Sequence, residues 1–257
     1  MAIRLHLVPL PALADNYIWL LHDGADALVV DPGDADVVRA ALAQRQLTLR
    51  GILLTHHHND HIGGVAGLLA DHPVPVYAPD DERIRVTTHA VHDGDTITTR
   101  LPPSRFSVIG VAGHTRNHVA YFGEGALLCG DTLFSLGCGR LFEGSAAQML
   151  AALDRLSRLP PTTQVCAGHE YTADNGRFAT TVDPQNSALQ QRRQEVEALR
   201  ARGEPTLPVT LERELQGNPF LRVDSAAVSQ WCHREHAIVG DRVACFAALR
   251  SAKDRFH

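Results

Sequence analysis

Cysteine is scarce in this chain. Its 257 residues hold five, Cys129, Cys138, Cys166, Cys232 and Cys245, an odd number with no CxxC pair. That spacing argues against a framework of disulfides and for a reducing compartment. An excess of positive charge is also missing: 24 Lys and Arg stand against 29 Asp and Glu, a formal net charge of -5. No global basic field exists to draw nucleic acid or an anionic membrane, so any anion must be recognised locally. Long apolar runs are absent too. No segment approaches the ~20 unbroken apolar residues of a membrane span, and the opening stretch "MAIRLHLVPLPALADNY" is interrupted by His6, Pro9 and Pro11 before a signal core forms. Neither an internal repeat nor a low-complexity segment is visible. The expectation is a cytoplasmic monomer with no nucleic-acid or membrane partner.

What remains is ordinary globular composition, 44% hydrophobic and 21% charged, enough to bury a core without staples. Short β-type runs punctuated by Gly, Pro and Asp fill residues 3–10, 16–23, 27–33, 51–56, 74–79, 105–113, 118–124, 126–131 and 163–170. Several are apolar on consecutive positions, which predicts strands buried on both faces. Covering helices are found by period. Val37, Val38, Ala41 and Leu42 share one stripe, and Met149, Leu150, Leu153 and Leu156 another. The second of these helices starts at a capping-box spacing, Ser145 and Gln148, and is stopped by Pro160-Pro161. The spacing predicts an α/β domain over 1–172, layered αββα.

From about residue 172 the strand signal disappears, and 173–257 reads as an all-helical domain. One helix has Pro184 in its first turn, a stripe of Leu189, Val196 and Leu199, and a stop at Gly203-Pro205. The last has Val243, Phe246 and Leu249 on one side.

The most informative stretch is "THHHNDHIGG" at 55–64, directly after "GILL". A histidine ligates metal through a neutral ring nitrogen, and ligands must converge from separate backbone positions on one point. On extended chain His56 and His58 point the same way and His57 points away, while Asp60 and His61 lie in the turn into a helix. The string thus offers two half-sites, HxH and DH. A catalytic metal takes about three protein ligands and keeps an open position, and the missing candidates each stand at the end of a predicted strand: His114 in "VAGHTRNH", Asp131 in "LLCGD" and His169 in "VCAGHE". A lone strand-end histidine is more often a surface or hydrogen-bonded residue; the full pattern is not. His57 and His118 are read as support or packing, and His6, His22, His72, His89, His92, His233, His236 and His257 as unrelated to metal. Asp31 in "VVDPG" is either a turn stabiliser or a partner that orients a ligand.

Together "THHHNDHIGG", "GHTRNH", "CGDTLF" and "GHEY" resemble the metallo-β-lactamase superfamily. "GCGRLFEG" (137–144), "GHEYTADN" (168–175), "GNPFLR" (217–222) and "RSAKDRF" (250–256) narrow the resemblance, nearly end to end, to the glyoxalase II or hydroxyacylglutathione hydrolase family. The resemblance implies a four-layer αββα sandwich with a C-terminal helical domain and two divalent cations per chain, zinc foremost with iron or manganese as substitutes. His56, His58 and His114 would hold one cation, Asp60, His61 and His169 the second, and Asp131 would bridge them. A bridging hydroxide would be the nucleophile, with Asp60 and Asp131 as the catalytic carboxylates. The implied reaction is hydrolysis of S-D-lactoylglutathione to D-lactate and glutathione, the second step of methylglyoxal detoxification.

Arg140, Phe142, Tyr171, Arg250 and Lys253 fall where the family contacts glutathione. Some relatives carry Lys and Tyr where this chain has Arg140 and Phe142, so a phenolic hydroxyl is lost there. No Ser-His-Asp triad is required, because a dinuclear site both activates water and polarises a carbonyl, and a thiolate leaves with little protonation. Competing readings are a mononuclear iron persulfide dioxygenase, another hydrolase of the same fold, and a noncatalytic metal-binding protein. The last predicts closed, Cys-rich sites, which this chain lacks.

Overall fold

Consecutive apolar residues leave no face for water, and the strands they form are buried throughout. The computed structural model describes residues 5–236, 238 and 240–256; the side chain of His236 and all of His257 lie outside the described residues. The chain runs β1 (His6–Ala12), β2 (Asn16–His22), β3 (Asp26–Val30), α1 (Ala35–Arg45), β4 (Thr48–Leu53), the single turn α2 (Asn59–Ile62), α3 (Val65–Asp71), β5 (Val76–Pro79), β6 (His89–Val91), β7 (Thr96–Arg100), β8 (Pro103–Gly110), β9 (Val119–Gly123) and β10 (Ala126–Gly130). It continues through β11 (Leu133–Phe134), β12 (Gly137–Cys138), α4 (Ala146–Leu156), β13 (Gln164–Ala167), α5 (Thr172–Val182), α6 (Ser187–Ala201), β14 (Val209–Thr210), α7 (Leu211–Gly217), a 3-10 turn at Pro219–Leu221, α8 (Ala226–His236) and α9 (Arg242–Asp254). Every residue of β3 and β10 is buried. Among the described residues no helix is long and apolar enough to cross a membrane.

Two compact units divide the chain. The first holds residues 1–110, 117–130 and 166–169; the second holds 111–116, 131–165 and 170–257. In the first, one sheet has the order β1-β2-β3-β4-β5-β6, antiparallel over β1, β2 and β3 and parallel from β3 to β6. A second sheet runs β10-β9-β8-β7 as an antiparallel meander, with the last residues of β13 beside β10. Val38, Ala41 and Leu42 of α1 and Val65 and Leu68 of α3 share a core with Ile18, Leu20, Val29 and Ile52 of the first sheet. Asp34 caps α1 by accepting from the Asp36 and Val37 amides, the arrangement that satisfies orphan helix donors. The Tyr121 hydroxyl donates to the Leu54 carbonyl at 2.7 Å and the Trp19 indole to the Ala167 carbonyl at 2.9 Å. Both tie β2 and the end of β4 to the second sheet.

The second unit holds the hairpin β11-β12, the first half of β13 paired antiparallel with β14, and α4 to α9. The capping box forms as the sequence predicts: Ser145 accepts from the Gln148 amide while the Gln148 side chain accepts from the Ser145 amide. The helix ends at Leu156, ahead of the prolines.

Several expectations need correction. Pro184 lies outside α6, whose N-cap is Asn186, because the Asn186 side chain accepts from the Leu189 amide and starts the helix itself. Leu199 is only partly buried. In α9 the buried face is Cys245, Phe246, Leu249 and Arg250, while Val243 is 41% exposed; the apolar period alone placed the stripe slightly out of phase. Strand structure returns after residue 172 at β14, two residues too short to show in composition. Among the described residues one disulfide forms, Cys232–Cys245, joining α8 to α9 across a Cα separation of 5.7 Å. Linear spacing of 13 gave no sign that these helices bring the sulfurs together. Cys129, Cys138 and Cys166 are buried and form no disulfide.

A buried carboxylate anchors the loop after β5. Asp81 takes a bidentate pair from Arg83, at 2.7 and 2.6 Å, and the Arg83 amide at 3.1 Å. Hydrogen bonding from the Arg83 side chain holds the Asp81 carboxyl down at about 2. A depressed folded pKa stabilises above the unfolded value near 3.9 and loses that contribution as pH falls through about 2. The Arg83 side chain is 42% exposed, so the pair is discounted for screening. Arg83→Ala is therefore expected to cost about 1 kcal/mol at pH 7, with the deficit vanishing near pH 2. Denaturant unfolding at pH 7, 4 and 2.5 checks this, and a deficit that does not change with pH refutes it.

Candidate metal centre

A strand-end aspartate organises the first unit's histidines. Asp31 follows β3 in the left-handed region, φ 52, a conformation Asp tolerates better than most side chains. There its Oδ1 accepts from the Thr55 amide at 2.8 Å and its Oδ2 from the Thr55 hydroxyl at 2.7 Å. The same Oδ2 lies 3.0 Å from His61 Nδ1. Asp31 is thus the orienting partner among the two readings its sequence context left open. Thr55 carries the order onward, its Oγ1 3.0 Å from His56 Nδ1.

His61 presents Nε2 on its far side, and two other groups meet it there. Asp60 Oδ2 lies 3.5 Å from His61 Nε2 and 3.3 Å from His169 Nε2. His169 is fixed in the same manner, Nδ1 to Asp15 Oδ1 at 2.7 Å. Asn16 donates to Asp60 Oδ2 at 2.9 Å. The ligand atoms of Asp60, His61 and His169 all lie within 4.8 Å of one another, which is the spacing of a cation site. Asp31, His56 and His61 form a second such group. With each Nδ1 facing an oxygen, both Nε2 atoms are turned toward Asp60, so the donor set suits a divalent cation of nitrogen and oxygen preference.

The HxH half-site also converges. His56 Nε2 and His58 Nδ1 are 3.1 Å apart. His57 turns away, its Nδ1 3.7 Å from Asp81 Oδ2, and His118 stacks on His56 with centroids 4.6 Å apart and an interplanar angle of 15°. The roles read for these two residues are the ones observed. In the second unit His114 Nδ1 lies 2.9 Å from the Arg140 carbonyl and its Nε2 3.4 Å from Asp131 Oδ2. Asp15, Asn16 and Thr55 were missed by sequence reasoning. The one local signal for the first two was "ADNY", an Asp-Asn pair where the turn after β1 enters β2.

Residues 13–169 match the family model of the metallo-β-lactamase superfamily, and residues 170–256 match the model of the hydroxyacylglutathione hydrolase C-terminus. The hydroxyacylglutathione hydrolase of Cupriavidus metallidurans is 50% identical, over 98% of this chain and 99% of that protein. That of Xanthomonas campestris pv. campestris is 51% identical, again over 98% and 99%. This chain belongs to the hydroxyacylglutathione hydrolase family. Its fold class is therefore the αββα sandwich of the metallo-β-lactamases with a C-terminal helical region. The crystal structure of TTHA1623 in a di-iron-bound form, 26% identical, superposes with a TM-score of 0.60 over 84% of this chain and 100% of that one.

Arg140, Phe142, Tyr171, Arg250 and Lys253, expected from the sequence to contact glutathione, all fall in the second unit. Arg140 is 64% exposed in its side chain, its Nε 3.6 Å from Asp254. Phe142 is 63% exposed, and its ring lies 5.2 Å from that of His114. Tyr171 packs edge-on to Phe134. Arg250 is 5% exposed and already engaged: Nη1 donates to the Cys138 carbonyl at 2.6 Å, Nη2 to Asp254 at 3.0 Å, and the guanidinium sits over the Phe220 ring. Burial, and next the Arg250 charge, lower the Lys253 pKa. A separate cavity of about 660 Å³ in this unit is lined by Cys232, His233, Arg242 and Cys245, and by none of the candidate ligands.

The Asp60 turn tolerates no side chain beside it. A Cβ at Gly33 would stand 1.9 Å from the Asp60 carbonyl oxygen, and one at Gly64 2.6 Å from the Pro32 carbonyl. Gly33→Ala is expected to displace Asp60, lowering stability by about 1–3 kcal/mol and the metal content of the purified protein with it. Elemental analysis beside thermal melting checks this; full metal content at unchanged melting temperature refutes it.

Proposed function

We propose that this chain hydrolyses S-2-hydroxyacylglutathione thioesters, S-D-lactoylglutathione above all, with two divalent cations, most suitably zinc. His56, His58 and His114 are assigned to one cation, Asp60, His61 and His169 to the other, and Asp131 to both. The observation that carries this reading is the inward aim of Nε2 on His61 and His169, each enforced by a carboxylate on Nδ1. Family membership supplies the substrate class. Chain connectivity supports the joint set: Asp131 follows Gly130 of the first unit directly, and residues 111–116 are flanked on both sides by it.

When bound, the cations would supply Lewis acidity toward the thioester carbonyl and a water acidic enough to act as nucleophile near neutral pH. The protein's own part is orientation. Asp31, Asp15 and the Arg140 carbonyl hold three imidazoles in the tautomer that presents Nε2, and Asn16 holds the Asp60 carboxylate. No general acid is needed at the leaving group, since a thiol of pKa roughly 8.5 departs as thiolate. Arg140, Phe142, Tyr171, Arg250 and Lys253 are assigned to the glutathione moiety, cations toward its carboxylates and the Phe142 ring as apolar contact. A cytoplasmic setting suits a substrate built on glutathione.

The test is hydrolysis of S-D-lactoylglutathione by zinc-loaded protein, with elemental analysis of the same sample. Turnover is expected, and Asp131→Ala should lower kcat by about a thousandfold or more, the scale of several kcal/mol of barrier. Full activity from a chelated, metal-free preparation overturns the mechanism. Oxygen uptake on glutathione persulfide without thioester hydrolysis would assign the iron dioxygenase chemistry instead.

A further inference from the structure

A buried carboxylate on α7 has no place in the chemistry above. Glu214 is 0% exposed. Its Oε1 accepts from the Ser135 hydroxyl at 2.6 Å, and its Oε2 from the Leu136 amide at 2.7 Å and the Asn218 side-chain amide at 3.1 Å. Every one of these partners is a donor. Burial raises the carboxyl's pKa, while the Ser135 and Leu136 hydrogen bonds and the Arg192 charge pull it down. Asn218, also fully buried, donates onward to the Phe134 and Gly137 carbonyls at 3.1 and 2.9 Å. Between those carbonyls lies Leu136 at φ 58, a strained conformation for a branched apolar side chain that persists only when its surroundings over-determine it. The Glu214–Asn218 pair therefore holds both sides of the β11-β12 hairpin across its left-handed residue.

That hairpin sets the position of everything on either side of it. It begins just after Asp131 and ends at Gly139-Arg140. The Gly139 amide donates to the Thr132 carbonyl at 3.1 Å, and a Cβ at Gly139 would stand 1.9 Å from the Asp131 carbonyl oxygen and 3.3 Å from His114 Nδ1. The next carbonyl, that of Arg140, orients His114. We propose that Glu214, together with Asn218, is a positioning residue. Through the hairpin it sets the Asp131 carboxylate and the His114 ring as ligands and presents Arg140 to the glutathione moiety.

This inference rests on the proposed function only for its kinetic readout; its metal readout stands alone. The experiment compares wild type with Glu214→Gln, Ser135→Ala and the control Leu211→Ala, a fully buried residue of the same helix. Zinc retention is measured against a chromophoric chelator, KM and kcat on S-D-lactoylglutathione, and melting temperature alongside. Glu214→Gln keeps the size but sets an NH2 group among donors. It is expected to weaken zinc retention by about tenfold or more, the scale of losing a partner that orients a ligand, and to raise KM while lowering kcat. Ser135→Ala, which leaves the carboxylate two donors, should move zinc retention and KM in the same direction by about threefold or more, and it serves where the Gln variant fails to fold. Leu211→Ala should lower the melting temperature and leave zinc retention and KM within about twofold. Wild-type zinc retention in Ser135→Ala, or a control that loses as much zinc per degree of melting temperature as Glu214→Gln, overturns the positioning role. A wild type that binds zinc but does not cleave the thioester sinks the proposed function and leaves the zinc comparison to decide this one.

Discussion

An imidazole offers a metal its lone pair on one nitrogen only when the proton sits on the other, and in a buried site that proton needs an acceptor. The structure supplies acceptors from three separate places in the chain: Asp31 for His61, Asp15 for His169 and the Arg140 carbonyl for His114. Each acceptor is itself held. Asp31 takes two further hydrogen bonds from Thr55, and Asp15 belongs to the turn whose next residue bridges to His169 in the backbone. The Arg140 carbonyl ends the hairpin that Glu214 and Asn218 clamp. A correctly aimed histidine is thus a property of the sheet ends and not of the histidine-rich string alone.

This explains why so little space is left around the string. The α2 turn puts its backbone against the 31–35 loop: Gly33 against the Asp60 carbonyl, and Gly64 against Pro32 and Asp34. Asp31 sits on the left-handed bend that begins that loop. The contact brings the Asp31 carboxylate and the Asp60 turn together, so His61 can be gripped from one side by Asp31 and face Asp60 on the other. Glycine at 33, 63 and 64 is the sequence-level trace of this close approach, more informative here than any helix-breaking role.

The candidate ligands were legible because their chemistry is rare and their spacing periodic. His56 and His58 alternate on extended chain, and Asp60 and His61 begin a turn, all within six residues. Among their orienting partners Asp31 was legible as one of two readings, but Asp15 and Glu214 were not, since Asp15 and His169 are 154 positions apart and Glu214 and Leu136 78, and an acidic residue on an amphipathic helix looks solvated until the fold buries it. The existence of α1, α4, α6 and α9 was read from the sequence, while α5, α7 and α8 were not located and helix phase was read less well: α9 turned far enough to bury Arg250 and expose Val243. The Cys232–Cys245 bond depended on the packing of α8 on α9, which composition cannot show.

Arg250 shows why phase matters for function. A cation near a helix C-terminus reads as a solvated charge complementing the dipole, yet its guanidinium is split between the Cys138 carbonyl in the β11-β12 hairpin and Asp254. The hairpin is therefore gripped from α7 through a carboxylate and from α9 through a guanidinium. Asp254 also faces Arg140, so one carboxylate answers two arginines while Lys253 stands beside them with its pKa pushed down by burial and then by Arg250. Positive charge crowded in this way is relieved by an arriving carboxylate more than isolated surface lysines would be. Under the proposed assignment, the grip on the hairpin and the reception of an anionic substrate fall to the same few side chains. Loss of Arg250 would be felt in ligand geometry as well as in affinity.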